Sequence, residues 1–185
     1  EEGKEHTMQR NVKRMFGIGG LLVACAGLVG CGSGQAQSWT FKDDEGSTRN
    51  MSHYQGQVLV LSFTNTWCDP CQETARELQA LQDRFRGRGV KVMAVSAWER
   101  GNPDAYMQDH GYNYGIMTNG TAIARDYDVD EIPTFFVVGV DGNIISRYDG
   151  FSPNTSSKIA KSVEKHLKKV AKNPEKYRTI VQHGG

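Results

Sequence analysis

Val58-Leu59-Val60-Leu61-Ser62-Phe63 is an almost unbroken apolar run, and no other stretch constrains the fold as much. A strand with one wet face alternates apolar and polar residues, whereas a continuous run of this length suits a central strand covered on both faces. A Gly56-containing turn precedes it, and Trp67-Cys68-Asp69-Pro70-Cys71 follows it directly. Pro70 suits the first turn of a helix, and Ala75, Leu78, Leu81 and Phe85 continue at helical spacing until Gly87. The run therefore predicts a buried strand that delivers two cysteines to a helix N-terminus.

The punctuation on either side extends the pattern. A short strand is expected at Trp39–Phe41 with a turn at Asp43-Asp44-Glu45-Gly46, and Val90–Val95 reads as a second buried strand. Pro103–His110 reads as a helix and Thr134–Val138 as a third core strand, with an Asp141-Gly142 hairpin leading into Ile144–Tyr148. Ile159, Val163, Leu167 and Val170 recur at helical spacing and close the chain with an amphipathic helix. Two βα units, a hairpin and a helix imply an α/β fold, a mixed sheet with helices on both faces. At 185 residues the chain has room for one such domain, placed here at 39–172 with a tail at 173–185.

A thiolate, not a thiol, attacks a disulfide, so a working cysteine needs its anion stabilised and its sulfur within reach. A helix N-terminus offers Cys68 free N–H groups and the positive end of the dipole. Cys71, three residues on and on the same face, can close the ring and expel a substrate. That assigns Cys68 as nucleophile, Cys71 as resolving thiol, and Asp69 and Pro70 as tuning residues within the motif. Asp69 sets a negative charge beside the nascent thiolate and opposes the dipole. The couple is then expected to be reducing, nearer about −270 mV than about −120 mV. Zinc would need further ligands, and His53, His110, His166 and His183 stand singly. A purely structural bridge across so small a loop stabilises little.

The N-terminal fifth has its own logic. Residues 1–7 precede the first Met, Met8, and read as upstream sequence translated by chance. Arg10, Lys13 and Arg14 then flank 16 uncharged, mostly small and apolar residues, Met15 to Gly30, so 8–30 reads as an export signal. Its end, Leu28-Val29-Gly30-Cys31, resembles the lipobox of bacterial lipoproteins. Cys31 would be acylated, and residues 31–38, rich in Gly, Ser and Gln, would form a flexible tether. The protein is then expected outside the cytoplasm, lipid-anchored to a bacterial membrane and facing the periplasm or the cell exterior.

Phe63 and Trp67-Cys68-Asp69-Pro70-Cys71, then Ile132-Pro133-Thr134, then Val140-Asp141-Gly142-Asn143 together resemble the thioredoxin superfamily, in its TlpA/ResA-like membrane-tethered branch, over about residues 39–170. The resemblance implies a thioredoxin-like sheet and a thiol-disulfide oxidoreductase that reduces disulfides of exported proteins, with cytochrome c maturation as one candidate setting. It implies a cis bond before Pro133 facing the cysteines, and client binding at Trp67, Ile132 and Pro133. No cofactor beyond the Cys68–Cys71 disulfide is implied; the expected partners are protein thiols and disulfides, a membrane electron donor, and the membrane through Cys31. The match departs from the branch where relatives carry a buried Glu and a Pro, since this chain has Thr74 and Arg76, with Glu73 about 100° around the helix. Asn65 and Thr66 also replace small residues usual before the Trp.

Two other functions compete. A thiol peroxidase shares the fold but usually carries a lone nucleophile in a Thr-x-x-Cys context, and a copper-binding chaperone needs a wider Cys pair and a distal His. Nucleic acid is not an expected partner, because the net charge is only +1. Charge is unevenly distributed, however: residues 31–156 carry net −6 and residues 157–178 net +6. The lysines of the last helix read as a solvated polar face, with contact to anionic lipid as the alternative. Trp98, Tyr112 and Tyr114 read as core or rim packing, and His110 as a helix-end residue.

Overall fold

The structure, a computed structural model, describes residues 34–42 and 48–182. The proposed signal at 8–30, Cys31 and the turn at 43–46 lie outside the described residues. The elements are β1 (Thr40–Lys42), β2 (Thr48–Asn50), a 3-10 turn (Met51–Tyr54), β3 (Val58–Thr64), α1 (Asp69–Arg84), β4 (Val90–Ser96) and α2 (Pro103–Asp109). They continue as β5 (Gly115–Met117), α3 (Thr121–Asp126), β6 (Thr134–Val138), β7 (Ile144–Asp149), α4 (Thr155–Lys172) and α5 (Pro174–Gln182). β1 and β2 pair with each other, and the remaining strands form one mixed sheet in the order β5-β4-β3-β6-β7. β3, β4 and β5 are parallel, and β6 and β7 antiparallel to their neighbours.

The apolar run at 58–63 is the central strand, as expected, and alternation sends its side chains to two cores. Val58 and Val60 pack with Leu78 and Leu81 of α1, with its C-cap Phe85, and with Ile159 and Val163 of α4. Leu59, Leu61 and Phe63 pack on the other face with Met117, Ala124 and Tyr127. Register defines two poles. Thr64 lies opposite Ser96, and Phe63 opposite Thr134, at one end of the sheet; Val58 lies opposite Val90, and Leu59 opposite Val138, at the other. The poles are about 20 Å apart, the span of seven strand residues.

Five short elements differ from the sequence expectation, among them β2 and the 3-10 turn after it. β5 and α3 have three and six residues, too few to display a period. The residues read as a tail contain α5, which begins on Pro174 at a helix start and sinks Tyr177 into the core at 2% exposure. The domain boundary drawn at 172 is therefore corrected to include Pro174–Gln182. Among the described residues no helix is long and apolar enough to cross a membrane.

Candidate active site

The C-terminal end of β3 turns through Asn65, Thr66 and Trp67 into α1, and Cys68 is the N-cap of that helix. Cys68 and Cys71 form a disulfide with Cα atoms 5.2 Å apart. The Cys71 N–H donates to the Cys68 carbonyl at 2.9 Å and is shared with Cys68 Sγ at 3.3 Å, so an N–H of the first helical turn lies against the outer sulfur. Cys68 is 9% exposed and Cys71 only 2%, which leaves Cys68 the sulfur a partner can reach. Asp69 and Pro70, in the first helical turn, are both exposed.

The Ile132–Pro133 bond is cis, as the resemblance implied. Cys68 Sγ lies 3.8 Å from the Ile132 carbonyl oxygen, so the segment entering β6 faces the disulfide across the mouth of the site. Trp67 is 46% exposed beside it. Its indole N–H donates to the Trp98 carbonyl at 3.1 Å, and the Arg100 guanidinium lies 4.5 Å from its ring centroid. The structure thus gathers Trp67, Cys68, Asp69, Pro70, Cys71, Ile132 and Pro133 at one pole.

Glu99, which sequence reasoning missed, organises the loop behind them. Its carboxylate accepts from the Thr66 N–H (3.0 Å), the Thr66 hydroxyl (2.7 Å), the Ser96 hydroxyl (2.8 Å), and the Arg100 and Gly101 N–H groups (2.9 and 2.8 Å). Burial pushes the Glu99 carboxyl up, but the bonds from Thr66, Gly101, Ser96 and Arg100 outweigh it and hold the group down at about 2. The approach is close: a Cβ on Gly101 would stand 2.5 Å from Thr66 Oγ1. Trp98 adopts a left-handed φ of 51° to make this turn, its N–H held by Thr121 Oγ1 at 2.9 Å. Gln72 donates to the Thr66 carbonyl at 2.7 Å and Asn65 to the Ala97 carbonyl at 3.3 Å. Each residue from Asn65 to Trp67 is therefore pinned. The only hint in the sequence is a carboxylate just past the C-terminal end of a buried strand, where open α/β sheets place their sites.

Thr74, at the position of the acid carried by many TlpA/ResA-like proteins, is 2% exposed and donates to the Cys71 carbonyl at 2.8 Å, so it holds no proton for Cys71. Glu73 is exposed and turned away from that interior. A hollow of about 20 Å³, room for about one water, lies behind Cys71 and is lined also by Asn65, Glu99, Tyr106 and Tyr114. Tyr114 is core at 5% exposure, and Tyr112 stacks between it and His110. Trp98 is half-buried against the sheet core, and His110 is the C-cap of α2. These four residues pack as expected. Among the described residues no group of three or more His, Cys, Asp or Glu side chains is placed to hold a metal ion.

Residues 33–147 match the AhpC/TSA family. The thiol-disulfide oxidoreductase ResA of Bacillus thuringiensis subsp. konkukian is 25% identical over 141 residues, which cover 74% of this chain and 76% of that protein. Two solved structures share the fold. A thiol:disulfide interchange protein of the thioredoxin family from Chlorobium tepidum TLS superposes with a TM-score of 0.65 at 22% identity, covering 74% of this chain and 98% of its own. StoA of Bacillus subtilis superposes with a TM-score of 0.57 at 20% identity, covering 69% and 96%.

Proposed function

The chain belongs to the AhpC/TSA family, and from that premise we propose that it works as a thiol-disulfide oxidoreductase that reduces disulfides of exported proteins. The observation that carries this is the pair of sulfurs: a reachable Cys68 capping a helix and receiving the Cys71 N–H, with Cys71 buried directly behind it. In the reduced protein the Cys68 thiolate attacks a client disulfide, forms a mixed disulfide and releases one client thiolate. The Cys71 thiolate then attacks Cys68 Sγ and releases the second, leaving the client dithiol and the Cys68–Cys71 disulfide. Two electrons pass to the client, and each released thiolate takes up one proton. A membrane electron donor restores the dithiol, and no added cofactor is needed.

Trp67, Ile132 and Pro133 form the client-binding rim in this reading. Its support is the 3.8 Å approach of the Ile132 carbonyl to Cys68 Sγ, which sets a backbone segment where a client chain could lie beside the sulfur. Asp69 and Pro70 tune the motif. Export through residues 8–30 and acylation of Cys31 would hold the enzyme close to a membrane, because Gly34 and Ala36, expected from the sequence to belong to a flexible tether, are hydrogen-bonded to the 142–144 turn, with cytochrome c maturation one candidate setting. The direct test is Cys71→Ser in the native host. Mixed disulfides captured on Cys68 are expected and would name the client; no trapped protein, together with peroxide turnover by the wild type, would replace this reading with a thiol peroxidase.

A further inference from the structure

We propose that the C-terminal half of α4, whose Lys165, Lys168, Lys169 and Lys172 lie toward the pole opposite the cysteines, is a docking surface for anionic lipid headgroups. At 100° per residue, Lys158, Lys161, Lys165, Lys168, Lys169 and Lys172 fall within an arc of about 100° and form a ridge about 21 Å long. All six are exposed, and Ile159, Val163 and His166 occupy the buried side of the same helix. Among the described residues none of the six makes a close ion pair. Glu164, the one acid of α4, is committed to Arg84 at 2.7 Å. The ridge borders a shallow cleft of about 580 Å³ lined by five of these lysines together with Glu164 and Asn173.

Lysines in the last turn also satisfy the helix dipole, but that effect falls off within one turn, and this ridge covers four. Its position points to a membrane. His166 accepts the Val140 N–H at 3.2 Å, which fixes the C-terminal half of α4 against the 139–143 turn between β6 and β7. A Cβ on Gly139 would lie 2.7 Å from His166 Cε1, so the two segments touch. The chain enters the described domain at this same turn: Ala36 N–H donates to Gly142 O at 2.9 Å and Ile144 N–H to Gly34 O at 3.0 Å. The ridge's lower half and the chain's entry point therefore share the pole of Val138, while Cys68 stands at the pole of Thr64 and Thr134. A domain resting on this pole would present its cysteines away from the bilayer, toward soluble clients.

The exposed cations are ammonium groups with no aromatic side chain among them, which suits a headgroup layer better than stacked bases. The placement of the ridge toward a membrane rests on the proposed anchoring, whereas its exposed positive charge stands without acylation of Cys31. The test therefore uses the whole chain carrying Cys31→Ser, mixed with vesicles of phosphatidylcholine alone or with roughly a third phosphatidylglycerol. At low salt we expect at least about tenfold tighter association with the anionic vesicles, removed by high salt. The combined variant Lys165→Glu, Lys168→Glu, Lys169→Glu and Lys172→Glu should lose that preference while reducing a soluble disulfide at the wild-type rate. Lys→Gln at the same four positions should weaken it, which guards against a folding defect caused by the acidic changes. Equal association with both vesicles, or a preference that survives both sets of substitutions, would overturn the proposal and leave the oxidoreductase reading untouched.

Discussion

The two poles of the sheet are each built around one ionisable side chain, half-buried Glu99 at one and buried His166 at the other, used in opposite ways. At the cysteine pole, Glu99 is charged and saturated with five donors, so its negative charge organises backbone around it. At the far pole, burial first, and Lys169 in addition, lower the pKa of His166 against the opposing pull of Asp141; neutral, it accepts one N–H and packs edge-on against Tyr177 at 6.1 Å. The first arrangement depends on hydrogen-bond geometry and positions a reacting sulfur. The second depends on apolar packing and positions a surface. Damage at one pole should change chemistry, and damage at the other should change stability.

The comparison is sharpest for the sulfurs. Cys68→Ser should reduce disulfide turnover by at least about a thousandfold with the melting temperature of the reduced protein nearly unchanged; retained turnover in an insulin-reduction assay would move the chemistry elsewhere. Tyr177→Ala should do the reverse, costing about 3 kcal/mol in urea unfolding for a ring that is 2% exposed, with the reduction potential unmoved. Because the Tyr177 hydroxyl has no partner among the described residues, Tyr177→Phe should be neutral or stabilise by about 1 kcal/mol.

Glu99→Gln places an amide N–H₂ among donors. It should cost about 1–3 kcal/mol, slow client reduction, and alter the emission of Trp67, whose indole is held by the adjoining Trp98 carbonyl. If turnover and emission match the wild type, Glu99 is only structural. Its carboxyl is near 2 when folded against about 4.3 unfolded, so its contribution is complete above the unfolded value and is lost as pH falls toward 2. Glu99→Gln should remove that part of the acid sensitivity. The smallest effect belongs to His166. A lowered folded pKa means that the unfolded chain binds the proton more readily, so stability should fall as pH drops below about 6.5. His166→Gln should flatten that slope, measured by unfolding at a series of pH values.

What the sequence discloses follows the same division. Val58–Phe63, Val90–Val95 and Thr134–Val138 are legible because burial on both faces keeps all but one residue of each run, Ser62, Lys91 and Thr134, apolar, and the motif after the first of them locates the site. Pro133 and Ile132 were reached through resemblance alone, since nothing local says that a segment 64 residues from Cys68 will face it. Glu99 was not legible, because its partner Thr66 is 33 residues away and the contact exists only once β3 and β4 lie side by side. α5 escaped for a simpler reason: nine residues that hold one buried tyrosine resemble a polar tail until the core that receives Tyr177 has formed.

Direction of electron flow remains the decisive property of the cysteine pole, and it is measured by equilibrating the Cys68–Cys71 pair against glutathione or dithiothreitol buffers. A reductase whose Cys68 thiolate is supported by one N–H but opposed by Asp69 should show a potential near about −270 mV. A value near about −120 mV would make the protein an oxidant of its clients and contradict the function proposed for it.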